Sequence, residues 1–144
     1  MAEQLETYTF KPKRKKESVI AKENILKPGA DLKHAVLTDA DLSYANLTEA
    51  NLRAAVLYGA DLTRASLEGA ILVSVIAEQA NLSSANLGAA DLTKADLTVA
   101  DLTGARLCAA DLSGADLEGA DLTGANLIGG KVPEGYGKLP KEDE

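Results

Sequence analysis

The chain of 144 residues carries 15 lysines and arginines against 22 aspartates and glutamates, a formal net charge of −7, and its length suits one small domain. This acidity disfavours nucleic acid and anionic membranes as partners of the body of the protein. A single cysteine, Cys108, leaves no intrachain disulfide and fits a reducing compartment.

The N-terminal stretch MAEQLETYTF lacks the charged-then-apolar build of a secretory signal. No apolar run in the sequence approaches the roughly 18 residues that a membrane helix needs. The sequence therefore predicts a cytoplasmic protein without a membrane-inserted segment.

Residues 1–29 are interpreted as a basic N-terminal extension, with seven basic and four acidic side chains. Its run KPKRKK, Lys11–Lys16, leaves three interpretations open. The run is a solvated tail, it binds nucleic acid or serves nuclear targeting, or it contacts the acidic body of the protein.

The end of this extension, ESVIAKENILKPG, fits a short helix with Ser18 as its N-cap and Pro28-Gly29 as its stop. The end of a repeat array exposes its core and needs a cap. We therefore expect this non-repeat segment to cap the array that follows, through the contacts Val19, Ile20, Ile25 and Leu26.

Residues 30–129 divide into twenty pentapeptides. The first position is Ala in nineteen of them and the third is Leu in nineteen. The second position is Asp or Asn in fourteen, the fourth is Ser or Thr in ten, and the fifth is Gly in seven. The two exceptions at positions one and three, Val75 and Ala77, fall in the same repeat.

A period of five residues does not fit an α-helix. Five residues advance about 140° modulo a full turn, so the Leu column would spread around the cylinder. In an extended edge, positions one and three point to one side and position two points outward. A type II turn at positions four and five, with positive φ at the fifth, brings the next Ala back inside.

The stretch ADLTKADLTVADLTGARLCAADLSGADLEGADLTGANL resembles the pentapeptide-repeat family, whose signature is A(D/N)LXX. The resemblance implies an all-β fold, a right-handed four-sided β-helix with twenty residues per coil. It implies five coils over residues 30–129, about 24 Å tall at a spacing of about 4.8 Å. Leu fills the core uniformly, so we expect no cofactor inside.

Val75 and Ala77 then lie in adjacent core columns of one coil, where a larger and a smaller side chain partly offset each other in volume. Beside them, apolar residues replace the usual polar ones on the outer surface. We call this set the apolar strip: Val36, Val56, Tyr58, Ile71, Ile76 and Val99. Three interpretations stay open: a partner surface, a seat for the N-terminal segment, or a tolerated departure.

Aspartates at position two form same-face columns, which we call the acidic ladders: Asp41, Asp61, Asp91, Asp96, Asp101, Asp111, Asp116 and Asp121. Residues 30–129 hold five basic and fourteen acidic side chains, a net charge of −9. We expect no direct nucleic acid binding from this part of the chain.

Residues 130–144 are interpreted as a C-terminal tail, which begins as a decayed repeat with Val132 at the Leu position. Tyr136 and Leu139 are the side chains available to cover the last coil. Because that cover is small, the sequence also allows a homodimer through the C-terminal coil.

No pattern in the sequence indicates catalysis. His34 falls at a corner, where we expect a solvated imidazole, and Cys108 has no histidine on its face. No ligand cluster has zinc spacing, and no glycine-rich loop suits a phosphate. Open carboxylate columns lack the cleft that acid–base chemistry uses. The sequence predicts no enzyme, cofactor or metal site.

The preferred function is a non-catalytic protein–protein interaction or scaffold module with an unidentified protein partner. The resemblance supplies an alternative, because one branch of the family binds DNA gyrase or topoisomerase by imitating DNA. Fourteen acids over about 24 Å approach the charge density of duplex DNA, although bases reduce it. The gyrase binders resemble long dimers with aromatic cores, whereas this chain is short and filled with Leu. A plain structural or synthetic sequence is a third interpretation.

Overall fold

The computed structural model describes residues 26–136. Its chain is a stack in which each residue at position two forms a parallel β-bridge with the residue twenty further on, from Asp31↔Asn51 to Asp111↔Lys131. Each bridge is isolated, so within residues 26–136 the edges are single-residue bridges and no helix is present. Four repeats complete one level, which gives the stack four sides.

Backbone hydrogen bonds tie each level to the next. Asn51 donates to the Ala30 carbonyl above it at 2.8 Å, and Leu52 donates to the Ile71 carbonyl below at 2.7 Å. Between consecutive repeats, Ala55 donates to the Leu52 carbonyl at 2.9 Å and closes the corner. The same pattern recurs along the stack, as the repeat predicts.

Every corner of residues 30–129 has positive φ at the fifth position. The i to i+3 hydrogen bond and this φ are those of the predicted type II turn. Seven of these positions are glycine, but thirteen are not: His34, Asp39, Tyr44, Glu49, Ala54, Arg64, Ser74, Gln79, Ser84, Ala89, Lys94, Val99 and Ala109. The stacked hydrogen bonds therefore impose the conformation even on residues that disfavour it.

The core consists of the Ala and Leu side chains at positions one and three, nearly all of them buried. Val75 and Ala77 are both 1% exposed and remain in their columns. Toward the C-terminal end the core is less completely covered: Ala120, Leu122 and Ala125 are only partly buried.

The segment that leads into the first level adopts a corner of the same type. Ala30 donates to the Lys27 carbonyl at 3.0 Å, and Gly29 has φ 70° and donates to Thr48 at 2.8 Å. Pro28-Gly29 therefore forms a turn of the same type as the corners of the stack, and the predicted helix before it lies outside the described residues. Leu26 is buried against the core; the predicted N-cap, the other cap contacts and the basic run lie outside the described residues.

At the other end, Lys131 bridges to Asp111, and Val132 and Tyr136 pack on the core. Tyr136 donates its N–H to the Pro133 carbonyl at 3.1 Å, so residues 133–136 fold back as a turn. Leu139 lies outside the described residues.

Candidate interaction surface

The repeat leaves one backbone donor for a side chain to satisfy. In the middle of the stack, the N–H groups of positions one, two, three and five donate to carbonyls. The N–H of position four instead donates to the Oδ1 of Asp or Asn at position two. This bond forms in all fourteen repeats that have Asp or Asn there, at 2.9–3.3 Å.

The Ser or Thr preference at position four has a related cause. In seven repeats that hydroxyl donates to the same Oδ1 at 2.6–2.8 Å. The hydroxyl and N–H of Ser113 hold the pKa of Asp111 below its ordinary 3.8, with a smaller contribution from Lys131. Thr123 lowers the pKa of Asp121 in the same way.

All eight aspartates of the acidic ladders take part in this capping. Their first role is therefore structural, since each satisfies a backbone donor of its own corner. The sequence contained the signal, Asp or Asn followed two residues later by Ser or Thr. Our prediction of simple outward charges did not use it. Within residues 26–136, no group of three or more His, Cys, Asp or Glu could hold a metal ion.

The structure brings most of the apolar strip together. Val36, Val56 and Ile76 are bridged in one column, which we call the valine–isoleucine column. Ile76 is 43% exposed and Ile71, on the adjoining side of the same level, is 39% exposed. Tyr58 stands at the corner beside the column and is 37% exposed.

Val99 lies lower, at the level of Asp96, and is 55% exposed. It stands apart from the column, because Gln79 occupies the equivalent corner of the level above. Sequence reasoning did not single out two further exposed apolar side chains, Tyr44 and Ile128, which lie on other corners.

Six repeats lack the capping side chain, and four of them belong to the apolar strip, at Val36, Val56, Ile71 and Ile76. Aliphatic side chains cannot accept a hydrogen bond, so the N–H groups of Thr38, Tyr58, Val73 and Glu78 lose the partner that their equivalents have. Three of these donors, on Thr38, Tyr58 and Glu78, line one corner beside the valine–isoleucine column. The surface thus combines exposed Tyr58, Ile71 and Ile76, and half-buried Val36 and Val56, with uncapped donors.

The other surface features of the described residues give weaker indications of a binding site. A groove of about 180 Å³ between Glu68, Asn86, Arg106 and Cys108 is shallow, and Cys108 is half-buried with a free thiol. His34 is an exposed corner residue. Between the last level and residues 133–136 lies an open cavity of about 420 Å³, where burial raises the pKa of Tyr136.

No helix among residues 26–136 is long and apolar enough to cross a membrane.

Comparison with known proteins identifies pentapeptide repeats, eight copies, over residues 30–69, 60–98 and 100–132. Curated proteins give no match. Pentapeptide repeat proteins fold as right-handed quadrilateral β-helices. The four bridges per twenty residues of this chain agree with that fold. They are generally non-enzymatic structural or interaction modules.

Three solved structures illustrate the similarity. Rfr23, a pentapeptide repeat protein from the cyanobacterium Cyanothece 51142, is 34% identical over 69% of this chain and 65% of its own, with a TM-score of 0.39. HetL of Nostoc sp. strain PCC 7120, involved in heterocyst differentiation regulation, is 33% identical over 72% and 66%, with a TM-score of 0.33. The Nostoc protein alr5209 is 26% identical over 91% and 89%, with a TM-score of 0.45. The chain spans just under two thirds of the first two proteins.

Proposed function

Because the chain belongs to the pentapeptide repeat family, we propose that it is a non-catalytic interaction module whose contact surface is the apolar strip. The observation that carries this proposal is the loss of four corner caps at the strip itself. All fourteen repeats with Asp or Asn at position two form the cap. The aliphatic residues of the strip remove it.

Two physical effects make the strip unfavourable in the isolated protein. Each aliphatic residue forgoes a hydrogen bond of about 1 kcal/mol, and it also leaves apolar surface in water. The two other uncapped repeats, at Ser66 and Arg106, add no apolar surface. Contiguous exposed apolar surface is typical of an interface, and here it coincides with the uncapped donors.

We extend the proposal to the organisation of the chain. Residues 30–129 form five coils, residues 1–29 cap the first coil, and residues 130–144 form a tail on a cytoplasmic protein. A homodimer through the C-terminal coil is supported by an open edge. Within residues 26–136, the N–H groups of Leu117, Leu122 and Leu127 have no backbone acceptor, whereas the equivalent Leu97 donates to Asp116.

The alternative function, binding of gyrase or topoisomerase by DNA mimicry, has less support. The side with Asn46, Ser66, Asn86, Arg106 and Asn126 at position two carries no carboxylate in that column. Five of the fourteen caps are neutral asparagines. The negative charge is therefore interrupted around the stack, unlike the continuous charge of duplex DNA.

A capture experiment tests the proposal. Immobilised full-length protein, its Ile76→Asp variant and an Asn126→Asp control are exposed to the same cell extract. Both substitutions add one negative charge at position two, but Asn126 lies on the opposite side, beside Arg106. We expect Ile76→Asp alone to lose a captured protein. Equal capture by all three would contradict the proposal, and inhibition of gyrase supercoiling would favour the alternative.

A further inference from the structure

We propose that the element that binds the apolar strip is an amphipathic α-helix lying along the axis of the stack, with a neutral hydrogen-bond acceptor beside an aliphatic side chain once per turn. This inference rests on the proposed function and adds the chemistry of the partner. It follows from the donors, the spacing and the charges around the valine–isoleucine column.

The donors require acceptors. In the capped repeats, the N–H of position four bonds to the outward side chain of position two, so the equivalent N–H groups of Thr38, Tyr58 and Glu78 face the outer surface. In the free protein, water can hydrate them. A partner that covers the column removes this water, and an unpaired buried N–H is unfavourable. A purely apolar partner therefore fits poorly.

The spacing selects a helix. The donors repeat with the levels, about 4.8 Å apart, so the first and third are about 9.6 Å apart. Two turns of an α-helix rise about 10.8 Å, a difference that side chains can absorb. In a strand along the same axis, side chains on one face repeat about every 6.8 Å. Two steps then span about 13.6 Å and leave the donors out of register.

The surrounding charges define the flanks. Lys33 and Arg53 lie at the corner before the column, and Asp39 and Glu78 lie at the corner after it. The column itself continues into Asp96. Carboxylates on the partner would thus be attracted on the first side and repelled on the second, where the uncapped donors are. Acceptors on the donor side are therefore neutral Ser, Thr, Asn or Gln, and acidic side chains suit the opposite flank.

Two display libraries test this inference. One presents a three-helix bundle with a randomised outer face on one helix, and the other presents unstructured peptides of about 12 residues. Both are selected on the immobilised full-length protein, and affinities are then measured for the parent, Ile76→Asp and Asn126→Asp. Thermal unfolding first establishes that both variants are folded. Amide hydrogen exchange follows Thr38, Tyr58 and Glu78 with and without the best binders.

We expect helical binders that Ile76→Asp weakens by about tenfold or more and Asn126→Asp does not. Their sequences should repeat a neutral acceptor once per turn, its replacement by Ala should weaken binding, and the three amides should exchange more slowly in the complex. Strip-dependent binders that come only from the unstructured library, or that leave the amides fast, would overturn the helix inference alone. Binders from both libraries that ignore Ile76→Asp would overturn the proposed function as well.

Discussion

The first ten repeats, residues 30–79, and the last ten, residues 80–129, have the same backbone but different side chains. Position two is Asp or Asn in five repeats of the first half and in nine of the second. Glycine occupies the corner in two repeats of the first half and in five of the second. Both halves nevertheless have the same bridges, the same corner bonds and positive φ at every fifth position.

This comparison separates what builds the stack from what stabilises it. The Ala and Leu columns and the twenty-residue register are common to both halves, so they suffice for the architecture. Caps and corner glycines vary between the halves, so they adjust its stability. The first half, which has fewer caps and fewer corner glycines, also carries most of the apolar strip. A function other than stability is therefore to be sought there.

We expect the two halves to lose equal stability when a core leucine is shortened to alanine. Leu57 and Leu97 are 1% and 0% exposed and lie above and below Ala77 in one column. Replacing either by Ala should lower the free energy of unfolding by about 2–5 kcal/mol, since each change leaves a void beside a small neighbour. Denaturant unfolding measures both, with the partly buried Leu122→Ala as a milder control. A much smaller loss for Leu57→Ala would show that the first half is loosely packed.

The strain of a positive φ should affect stability differently at different corner residues. Val99 is β-branched and has φ 57°, a conformation that such residues strongly disfavour. Val99→Gly should raise stability by about 1 kcal/mol, after allowance for the freer unfolded chain. Gly119→Ala should lower it by about 1 kcal/mol, because φ is 71° and the new Cβ would lie 3.2 Å from Val99 Cγ2.

The equivalent change in the first half, Gln79→Gly, should help less than Val99→Gly, because Gln is not β-branched. Thermal unfolding ranks the three variants. Val99→Gly below the parent would mean that the Val99 side chain contributes contacts that outweigh its strain.

Restoring a missing corner cap should raise the stability of the first half toward that of the second. In Ile76→Asn, the new Oδ1 can accept the N–H of Glu78, and we expect a gain of about 0.5–1.5 kcal/mol. Ile76→Ala is the matched control, because it removes the apolar side chain without supplying an acceptor. Ile76→Asp should gain less than Asn, since it stacks on Asp96.

The same Ile76→Asp measurement tests whether the N-terminal segment covers the strip. If it does, burial of the new carboxylate beside Asp96 should lower stability by several kcal/mol in the full-length chain and not in a chain lacking residues 1–24. We expect no such difference. A loss confined to the full-length chain would make the strip a seat for the protein's own N-terminus.

Acid should affect the second half first. Two of its capping aspartates, Asp111 and Asp121, carry the acid-sensitive stabilisation. The folded-state pKa of Asp111 and Asp121 is lowered, so their stabilisation is present above the ordinary 3.8 and is lost as the pH falls through the folded value. Amide exchange below about pH 4 should therefore lose protection in the second half before the first.

Asp121→Asn is the control for this prediction, because five asparagines make the same cap at other repeats. It should leave stability at neutral pH nearly unchanged and reduce the acid sensitivity of the last level. Equal loss of protection in both halves would show that the caps do not govern the acid response.

The sequence predicted the architecture because its information lies in a strict period. Ala and Leu two residues apart require an extended edge, and the odd step from Leu to the next Ala requires a corner. Positive φ at Tyr44 and Val99 follows from their place in the repeat and not from the residues themselves, since each disfavours it. The conformation comes from hydrogen bonds between levels, which link residues far apart in the chain.

The corner cap was within reach of the sequence but was missed. Asp41 and Ser43 are two residues apart, yet their bond to one another and to the backbone depends on the corner geometry. Pro28-Gly29 shows a similar limit, because the same pair can stop a helix or form a type II turn. The turn is fixed by a hydrogen bond from Gly29 to the Thr48 carbonyl of the neighbouring level, which the sequence alone does not show.

The twenty-residue register also limits how the chain can change in length. Removing residues 80–99 would place Ile76 above Asp116 and Ile71 above Asp111, and every lower side would keep its orientation. Removing a single pentapeptide would instead rotate all later repeats by a quarter turn and scatter the columns among different sides. Whole levels are thus the natural unit of insertion and deletion. A shorter insertion or deletion would change which side chains share a side of the stack while leaving the core sequence intact.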